Sequence, residues 1–182
     1  SCGHCFKVCA RQCHILEGGK RVYRRDACVR CGMCAAGCYA GALETIGRDV
    51  SVAAVLDEVR KDAPFYETSG GGMTLSGGEP MAQFAFTHAL ARAAKAAGLH
   101  VCLETSGFAA WNQYEQLLKL VDLFLYDFKE SDPALHRQFT GVPSDVILEN
   151  LRLLDAAGAA LVLRCPIVPG CNARDDHFQA IA

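Results

Sequence analysis

The chain has 182 residues, of which 51% are hydrophobic and 21% charged, with a formal net charge of −2 and 11 cysteines. This is the composition of a globular chain able to bury a core, which excludes an intrinsically disordered segment. A pI near 6.3 argues against a nucleic-acid binder, and apolar stretches such as Ala156–Leu163 fall short of the ~18 residues that cross a bilayer, so neither nucleic acid nor membrane is an expected partner.

Eight of the cysteines lie in the first 38 residues: Cys2, Cys5, Cys9, Cys13, Cys28, Cys31, Cys34 and Cys38. A secreted disulfide scaffold spreads its cysteines through a small chain and pairs them. Concentration ahead of a cysteine-poor stretch points instead to thiols held for metal in a reducing compartment, and a cytoplasmic location is expected. Charge divides at the same place. Residues 1–48 carry eight Lys/Arg against three acids, a net of +5, which leaves −7 for the rest of a chain at −2. Thiolate-ligated clusters are anionic and nearby cations offset them, although a basic module could also bind an acidic partner. The expected modules are 1–48 and 49–182.

Cys28-Val-Arg-Cys31-Gly-Met-Cys34-Ala-Ala-Gly-Cys38 has C-x2-C-x2-C-x3-C spacing. In bacterial ferredoxins three cysteines of this run hold one [4Fe–4S] cube and the fourth reaches a neighbouring cluster. Upstream, Cys2-Gly-His-Cys5-Phe-Lys-Val-Cys9 is the same pattern without its first cysteine, whose place falls two residues before Ser1. Paired, the motifs assign Cys2, Cys5 and Cys38 to one cluster, and Cys28, Cys31, Cys34 and Cys9 to the other. Neither fourth cysteine is followed by the usual Pro; Ala10 and Tyr39 stand there. Cys13 is read as a buried free thiol, with a ligand role as the alternative. Structural zinc is the alternative for the whole module. His4 and His14 are read as incidental.

From Val50 onward helix and strand alternate. Ser51 is a candidate N-cap for a helix to about Lys61, since Val52, Val55, Leu56 and Val59 recur at helical spacing. A strand follows over Met73–Ser76, then a helix carrying Phe86, Ala89, Leu90, Ala93 and Ala97 that stops at Gly98. Next come a strand over His100–Glu104, a helical stripe from Trp111 to Val121, and a strand over Leu123–Tyr126. Pro133 opens a short helix, and Ser144 is expected to cap a longer one that stops at Gly158. A strand over Ala160–Arg164 and a helix from near Arg174 complete the series. Strands each followed by a helix imply an α/β fold with parallel βα units. A partial (β/α) barrel fits, and an open doubly wound sheet is the alternative.

Polar residues collect where the predicted strands end: Gly77-Gly78-Glu79, Glu104-Thr105-Ser106-Gly107, Asp127-Phe128-Lys129 and Arg164. In parallel βα folds these ends share one face, where ligands bind. Each residue alone could be a surface ion pair, a cap or a turn, but four coincident strand ends favour a site. The glycine stretch lacks both G-x-G-x-x-G in frame and a Walker lysine, and Glu79 would repel an anion. Glycine-loop carbonyls and the Glu79 carboxylate accept from an amino group, while Arg164 and Lys129 offer countercharge to a carboxylate. A zwitterionic amino-acid ligand, bearing an ammonium or a sulfonium, satisfies both.

Gly71-Gly72-Met-Thr-Leu-Ser-Gly77-Gly78-Glu79-Pro80, Leu103-Glu104-Thr105-Ser106-Gly107, Leu123-Phe-Leu-Tyr-Asp127-Phe-Lys129 and Leu163-Arg164-Cys-Pro-Ile-Val-Pro-Gly170 closely resemble the activating enzymes of glycyl radical enzymes, in the radical S-adenosylmethionine superfamily. The resemblance extends to Pro64-Phe65-Tyr66-Glu67 and to the two-cluster ferredoxin insert. It implies a partial (β/α) barrel of the radical S-adenosylmethionine type with a small ferredoxin-like dicluster module at its N-terminus. It also implies an oxidoreductase that reductively cleaves S-adenosylmethionine at a [4Fe–4S] cluster and uses the 5′-deoxyadenosyl radical to make a glycyl radical on a partner enzyme. By resemblance Gly77, Gly78 and Glu79 line the methionine amino group. Glu104, Thr105 and Asp127 match positions that hold a monovalent cation beside the methionine carboxylate. Lys129 and Arg164 look like cofactor or partner contacts, and Lys129 and Asp127 are the candidate catalytic pair. The implied partners are a glycyl radical enzyme, such as a diol dehydratase, a C–N lyase or a decarboxylase, and a flavodoxin or ferredoxin electron donor.

The C-x3-C-x2-C triplet that holds the catalytic cluster of that family is not in this chain; in the family it lies upstream of the insert. A third [4Fe–4S] cluster is therefore expected in a missing N-terminal segment, and the chain is expected to be inactive alone. The competing readings are a dicluster ferredoxin-type electron-transfer protein fused to a non-catalytic βα domain, and a zinc-stabilised binding module.

Overall fold

The computed structural model describes residues 2–182; Ser1, from which the missing ligand position is counted, lies outside them. The chain forms two compact units, Ser1–Val50 and Ser51–Ala182.

In the first unit, helix α1 (His4–Val8) precedes an antiparallel hairpin of β1 (His14–Glu17) and β2 (Lys20–Tyr23), and helix α2 (Met33–Ala36) follows. Gly18 and Gly19 join the strands with φ of 56° and 76°, as a two-residue hairpin loop of primed type requires. The two short helices begin alike. Gly3 and Gly32, each set between two cysteines of a C-x2-C pair, are left-handed N-caps at φ 72° and 77°, a conformation open to glycine at little cost. The sequence repeat C-G-x-C is thus also a backbone repeat.

The second unit is built from βα units. Helix α3 (Val52–Val59) is capped by Ser51, whose Oγ accepts from the Ala54 N–H at 3.2 Å. A 3₁₀ turn (Arg60–Asp62) leads into α4 (Ala63–Ser69), then β3 (Gly72–Leu75), a 3₁₀ turn (Pro80–Gln83) and α5 (Phe84–Ala96). After these come β4 (His100–Thr105), α6 (Trp111–Leu117), β5 (Leu123–Asp127), α7 (Pro133–Thr140), α8 (Asp145–Ala156), β6 (Leu161–Arg164) and α9 (Asp175–Ile181). No helix among the described residues is long and apolar enough to cross a membrane.

The four strands of this unit are parallel and lie in the order β3-β4-β5-β6. Each new strand adds to the same edge, with none of the reversal that defines a doubly wound sheet, so the barrel-type wall is the architecture found. Alternation sorts the side chains. Met73, Leu75, Val101, Leu103, Phe124 and Tyr126 are buried in one core with Leu90, Ala94, Tyr114, Leu117, Ile147 and Leu154 from the helices. The other face of the sheet is left to Thr74, Cys102, Glu104, Leu125, Asp127 and Arg164.

Two sequence expectations are corrected. The stripe from Trp111 to Val121 is not all helix: α6 ends at Leu117, and Leu120 and Val121 turn back to donate to the Leu117 carbonyl. Val121 is still buried, so the apolar pattern reported burial rather than helix. Ser144 precedes α8 but does not cap it. Its backbone is already helical and its Oγ is buried without a partner; Asp145 supplies the negative charge in the first turn.

Candidate functional site

Register brings the strand ends together. Thr74 lies beside Cys102, Glu104 beside Leu125, and Asp127 beside Arg164. With a period of two, Glu104, Asp127 and Arg164 project from the face not covered by the helices, and Ser76 follows β3 on the same side. An open cleft of about 180 Å³ is lined there by Ser76, Gly77, Gly78, Glu79, Glu104, Thr105, Ser106, Asp127 and Lys129.

Arg164 is the electrostatic centre of this arrangement. Its guanidinium donates to Glu104 Oε1, and to Asp127 Oδ1 at 2.9 Å through Nε and 2.6 Å through a terminal nitrogen. The second oxygen of Glu104 accepts from Ser76 Oγ at 2.6 Å. The Ser76 hydroxyl, then Arg164, hold the Glu104 carboxyl below its ordinary range, and Glu104 followed by Asp127 holds the guanidinium above its own. Lys129 Nζ stands 4.0 Å from Asp127 Oδ2, an ion pair at the outer limit of contact.

Glu79 serves differently from the sequence expectation. Its Oε1 accepts from the Met81 N–H at 3.1 Å and the Thr105 hydroxyl at 2.9 Å, and its Oε2 accepts from the Ser106 N–H at 2.8 Å and the Ser106 hydroxyl at 2.7 Å. Four donors leave the carboxylate no free capacity. Glu79 is a bracket tying the loop after β3 to the loop after β4, and Gly77 and Gly78 of the first loop line the cleft beside it. Gly77 has φ 124° with open space around it, so a side chain there would be strained. Thr105 is likewise committed. It is 2% exposed, and its hydroxyl shares a 2.8 Å hydrogen bond with Tyr114 and accepts from the Gly107 N–H at 3.1 Å. The expected cation set Glu104, Thr105 and Asp127 is therefore near the cleft, but the Arg164 guanidinium already sits between the two carboxylates. Among the described residues no three His, Cys, Asp or Glu side chains are placed to hold a single metal ion.

Two buried amides hold the loops in place. Asn150, on α8, donates to the carbonyls of Gly107 and Ala109 at 2.8 Å each. Gly107, at φ 80°, packs so closely on the Tyr126 hydroxyl that a Cβ would collide with it. Asn172 donates to the carbonyls of Lys129 and Pro166 and accepts from the Val168 N–H. Beside it the buried carboxylate of Glu130 is paired by both terminal nitrogens of Arg174 at 2.9 and 3.0 Å. Lys129 is thus fixed by its main chain between two anchored neighbours. The sequence reading gave no site role to Ser76, Ser106, Tyr114, Asn150 or Asn172. Ser76 and Ser106 lie in the strand-end segments that it did single out; the other three belong to helices and a loop whose packing no local pattern announces.

The first unit holds a second site. A cavity of about 200 Å³ is walled by Cys9, Cys28, Cys31 and Cys34, together with Cys13, His14, Gly32 and Met33. The four thiols expected to share one cluster thus line a single cavity, with Cys13 beside them. Sulfur there meets backbone donors: the Cys13 N–H points at Cys9 Sγ and the Arg30 N–H at Cys28 Sγ, both at 3.3 Å. The Cys13 N–H draws the Cys9 thiol down, and the Tyr23 hydroxyl, then the Arg30 N–H, draw Cys28 down. Cys13 behaves oppositely. It is buried, and burial, with the neighbouring Cys9 thiol, pushes its own thiol up to about 11. A cubane spreads its thiolates more widely than a single ion does, so this donor set and cavity fit an iron–sulfur cluster. Of the other set, Cys2 is exposed, Cys5 buried and Cys38 partly buried.

The family model of the Radical SAM superfamily matches residues 28–181. The isethionate sulfite-lyase activating enzyme of Oleidesulfovibrio alaskensis is 41% identical over 185 residues, covering 100% of this chain and 60% of that protein. The pyruvate formate-lyase 2-activating enzyme of Escherichia coli is 37% identical, covering 98% and 62%. The choline trimethylamine-lyase activating enzyme of Oleidesulfovibrio alaskensis is 34% identical, covering 97% and 69%. A crystal structure of a domain of pyruvate-formate lyase-activating enzyme from Bacteroides vulgatus matches with a TM-score of 0.57 at 28% identity, over 60% of this chain and 68% of that one. The chain spans about three-fifths of the length of the first two relatives. It belongs to the Radical SAM superfamily, in the group of the glycyl radical enzyme activating enzymes.

Proposed function

We propose that this chain supplies the S-adenosylmethionine-binding wall and an electron-relay unit of an enzyme that installs a glycyl radical on a partner protein. The observation that carries this reading is the convergence of four successive strand ends on one cleft, where Glu104, Asp127, Lys129 and Arg164 surround an opening floored by Gly77 and Gly78. In this family S-adenosylmethionine bound at a [4Fe–4S] cluster supplies, on one-electron reduction, the carbon-centred radical that abstracts hydrogen.

This chain's own residues bind and orient. The carbonyls of the Gly77–Gly78 turn accept from the amino group of the methionine portion. Lys129 and Arg164 face its carboxylate, and Ser76 with the Arg164 bridge keeps Glu104 ionised and immobile. Glu79, fully bonded, sets the spacing between the two loops instead of touching the ligand. A monovalent cation beside Glu104 and Asp127 requires the Arg164 guanidinium to leave the space between the two carboxylates and turn toward the ligand carboxylate. In the first unit, Cys9, Cys28, Cys31 and Cys34 hold one [4Fe–4S] cluster, and Cys2, Cys5 and Cys38 contribute to another; together they pass electrons from a flavodoxin or ferredoxin. The protein substrate is a glycyl radical enzyme.

The test is equilibrium binding of S-adenosylmethionine to this chain and to a version extended to the length of its relatives, with anaerobic reduction of the latter. The expected result is binding that falls at least about tenfold in Arg164→Met, the loss of one charged anchor, and release of 5′-deoxyadenosine by the extended form. Iron uptake with no binding by either form would favour a dicluster electron-transfer protein instead.

A further inference from the structure

We infer that His14 is a hydrogen-bond donor to the iron–sulfur cluster of the Cys9, Cys28, Cys31 and Cys34 cavity, and that it sets the reduction potential of that cluster. The inference rests on the ligand assignment above and adds a residue read from sequence as incidental.

Three observations converge on His14. First, its ring is held on two sides. It stacks on Tyr23, its cross-strand partner in the hairpin, with centroids 4.9 Å apart and planes 14° apart, and the edge of Phe6 meets it at 6.4 Å. Second, His14 Nε2 is buried and has no hydrogen-bond partner in the protein. Buried polar atoms in folded proteins are almost always satisfied, and an orphan calls for a partner outside the chain. Third, His14 lines the cavity that the four cysteines surround. Three buried side-chain polar atoms among the described residues lack partners, on His14, Ser144 and His177, and only His14 borders the thiol cavity. Arg11, which also carries N–H donors on that wall, is exposed, so water competes for its charge.

The chemistry follows from the charge of the cluster. Thiolate and sulfide sulfurs accept hydrogen bonds, and the reduced cluster carries one more negative charge than the oxidised one. A buried N–H aimed at sulfur therefore favours the reduced form and raises the potential. Nε2 must carry the proton of the neutral ring to do this. The Phe6 and Tyr23 contacts fix the ring within the hairpin beside the cavity.

The experiment uses this chain with Cys38→Ala in every sample, which removes a thiol assigned to the other cluster. Chains are reconstituted anaerobically with iron and sulfide, and iron and sulfide are counted. The reduced cluster is then titrated by EPR, and pulsed EPR records nitrogen coupling. The expected result is four iron per chain in His14, His14→Phe and His14→Gln forms alike, with a weak nitrogen coupling in the first that His14→Phe lacks. The potential falls in His14→Phe and recovers in part in His14→Gln, whose amide N–H can replace the donor. Equal iron with unchanged potential and coupling in His14→Phe overturns the inference. So does loss of iron from both variants, or a coupling as strong as a directly bonded nitrogen, since His14 would then be a packing residue or a ligand. A parent chain that takes up no iron strikes the ligand assignment itself.

Discussion

Within residues 2–50 the buried apolar side chains are those of Cys5 and Cys13, whereas residues 51–182 enclose a core built on Leu103, Tyr114, Leu117, Phe124, Tyr126 and Leu154.

 That is eighteen buried apolar residues in the second unit against two in the first. A segment of some fifty residues with so little to bury falls below the size at which a hydrophobic core alone supports a fold. Its two one-turn helices and four-residue strands need a further source of stability, which the cluster proposed for the thiol-walled cavity would supply. The second unit needs none, because β3, β4 and β5 bury one face of the sheet against its helices. On the proposed reading, one chain joins a part that folds by excluding water to a part that folds around what its cysteines hold.

Removing iron should break this comparison most visibly. Without iron and sulfide, trypsin should cut the first unit at Lys20, Arg21, Arg24, Arg25 and Arg30, and anaerobic reconstitution should slow that cleavage at least ~10-fold, because metal binding is folding free energy in such modules. Residues 51–182 should resist equally in both states. Equal resistance of both units without iron would remove the distinction. Core truncation tests the other side. Phe124→Ala should cost about 3–5 kcal/mol in denaturant unfolding of the second unit, while iron uptake by the first is unchanged.

Acid sharpens the same contrast. Arg174, and then the Asp132 N–H, hold the buried Glu130 carboxyl down from 4.5 to about 2. A carboxyl with a lowered folded value adds stability that is complete above 4.5 and is lost as pH falls toward 2. The second unit should therefore lose on the order of 3 kcal/mol over that window, and Glu130→Gln should flatten that part of the profile, read by denaturant unfolding at a series of pH values. The smallest effect belongs to the cap near the boundary. Ser51→Ala should cost about 1 kcal/mol, seen as a small drop in the unfolding midpoint with no change in S-adenosylmethionine binding.

What was legible in the sequence follows from how local each signal is. Alternation and glycine stops placed all four strands and most helices of the second unit within a residue or two, because burial and backbone freedom act over a few positions. Ser144 misled for an equally local reason: the residue type suits a cap, but its backbone had already entered the helix. The hairpin of the first unit was readable from Gly18-Gly19 between two short alternating runs, yet the cysteine spacing drew attention away from it. In the cleft, the strand ends identified Glu104, Asp127 and Arg164 as neighbours. That Arg164 spans the two carboxylates depended on sheet order and register, and that Glu79 faces Ser106 instead of a ligand depended on how two loops meet. Neither is written in any single segment.

The Arg164 bridge also determines how a visitor meets the cleft. Glu79, Glu104 and Asp127 bring three negative charges and Lys129 and Arg164 two positive ones, so the mouth is close to neutral at long range while its interior alternates sharply in sign. A ligand with an ammonium, a sulfonium and a carboxylate has a net charge of +1 and feels only a weak pull from this single excess negative charge over a Debye length. Its capture is decided mainly within the last few ångströms by whether its charged groups match the alternation, and the rate of encounter should fall only slightly with ionic strength.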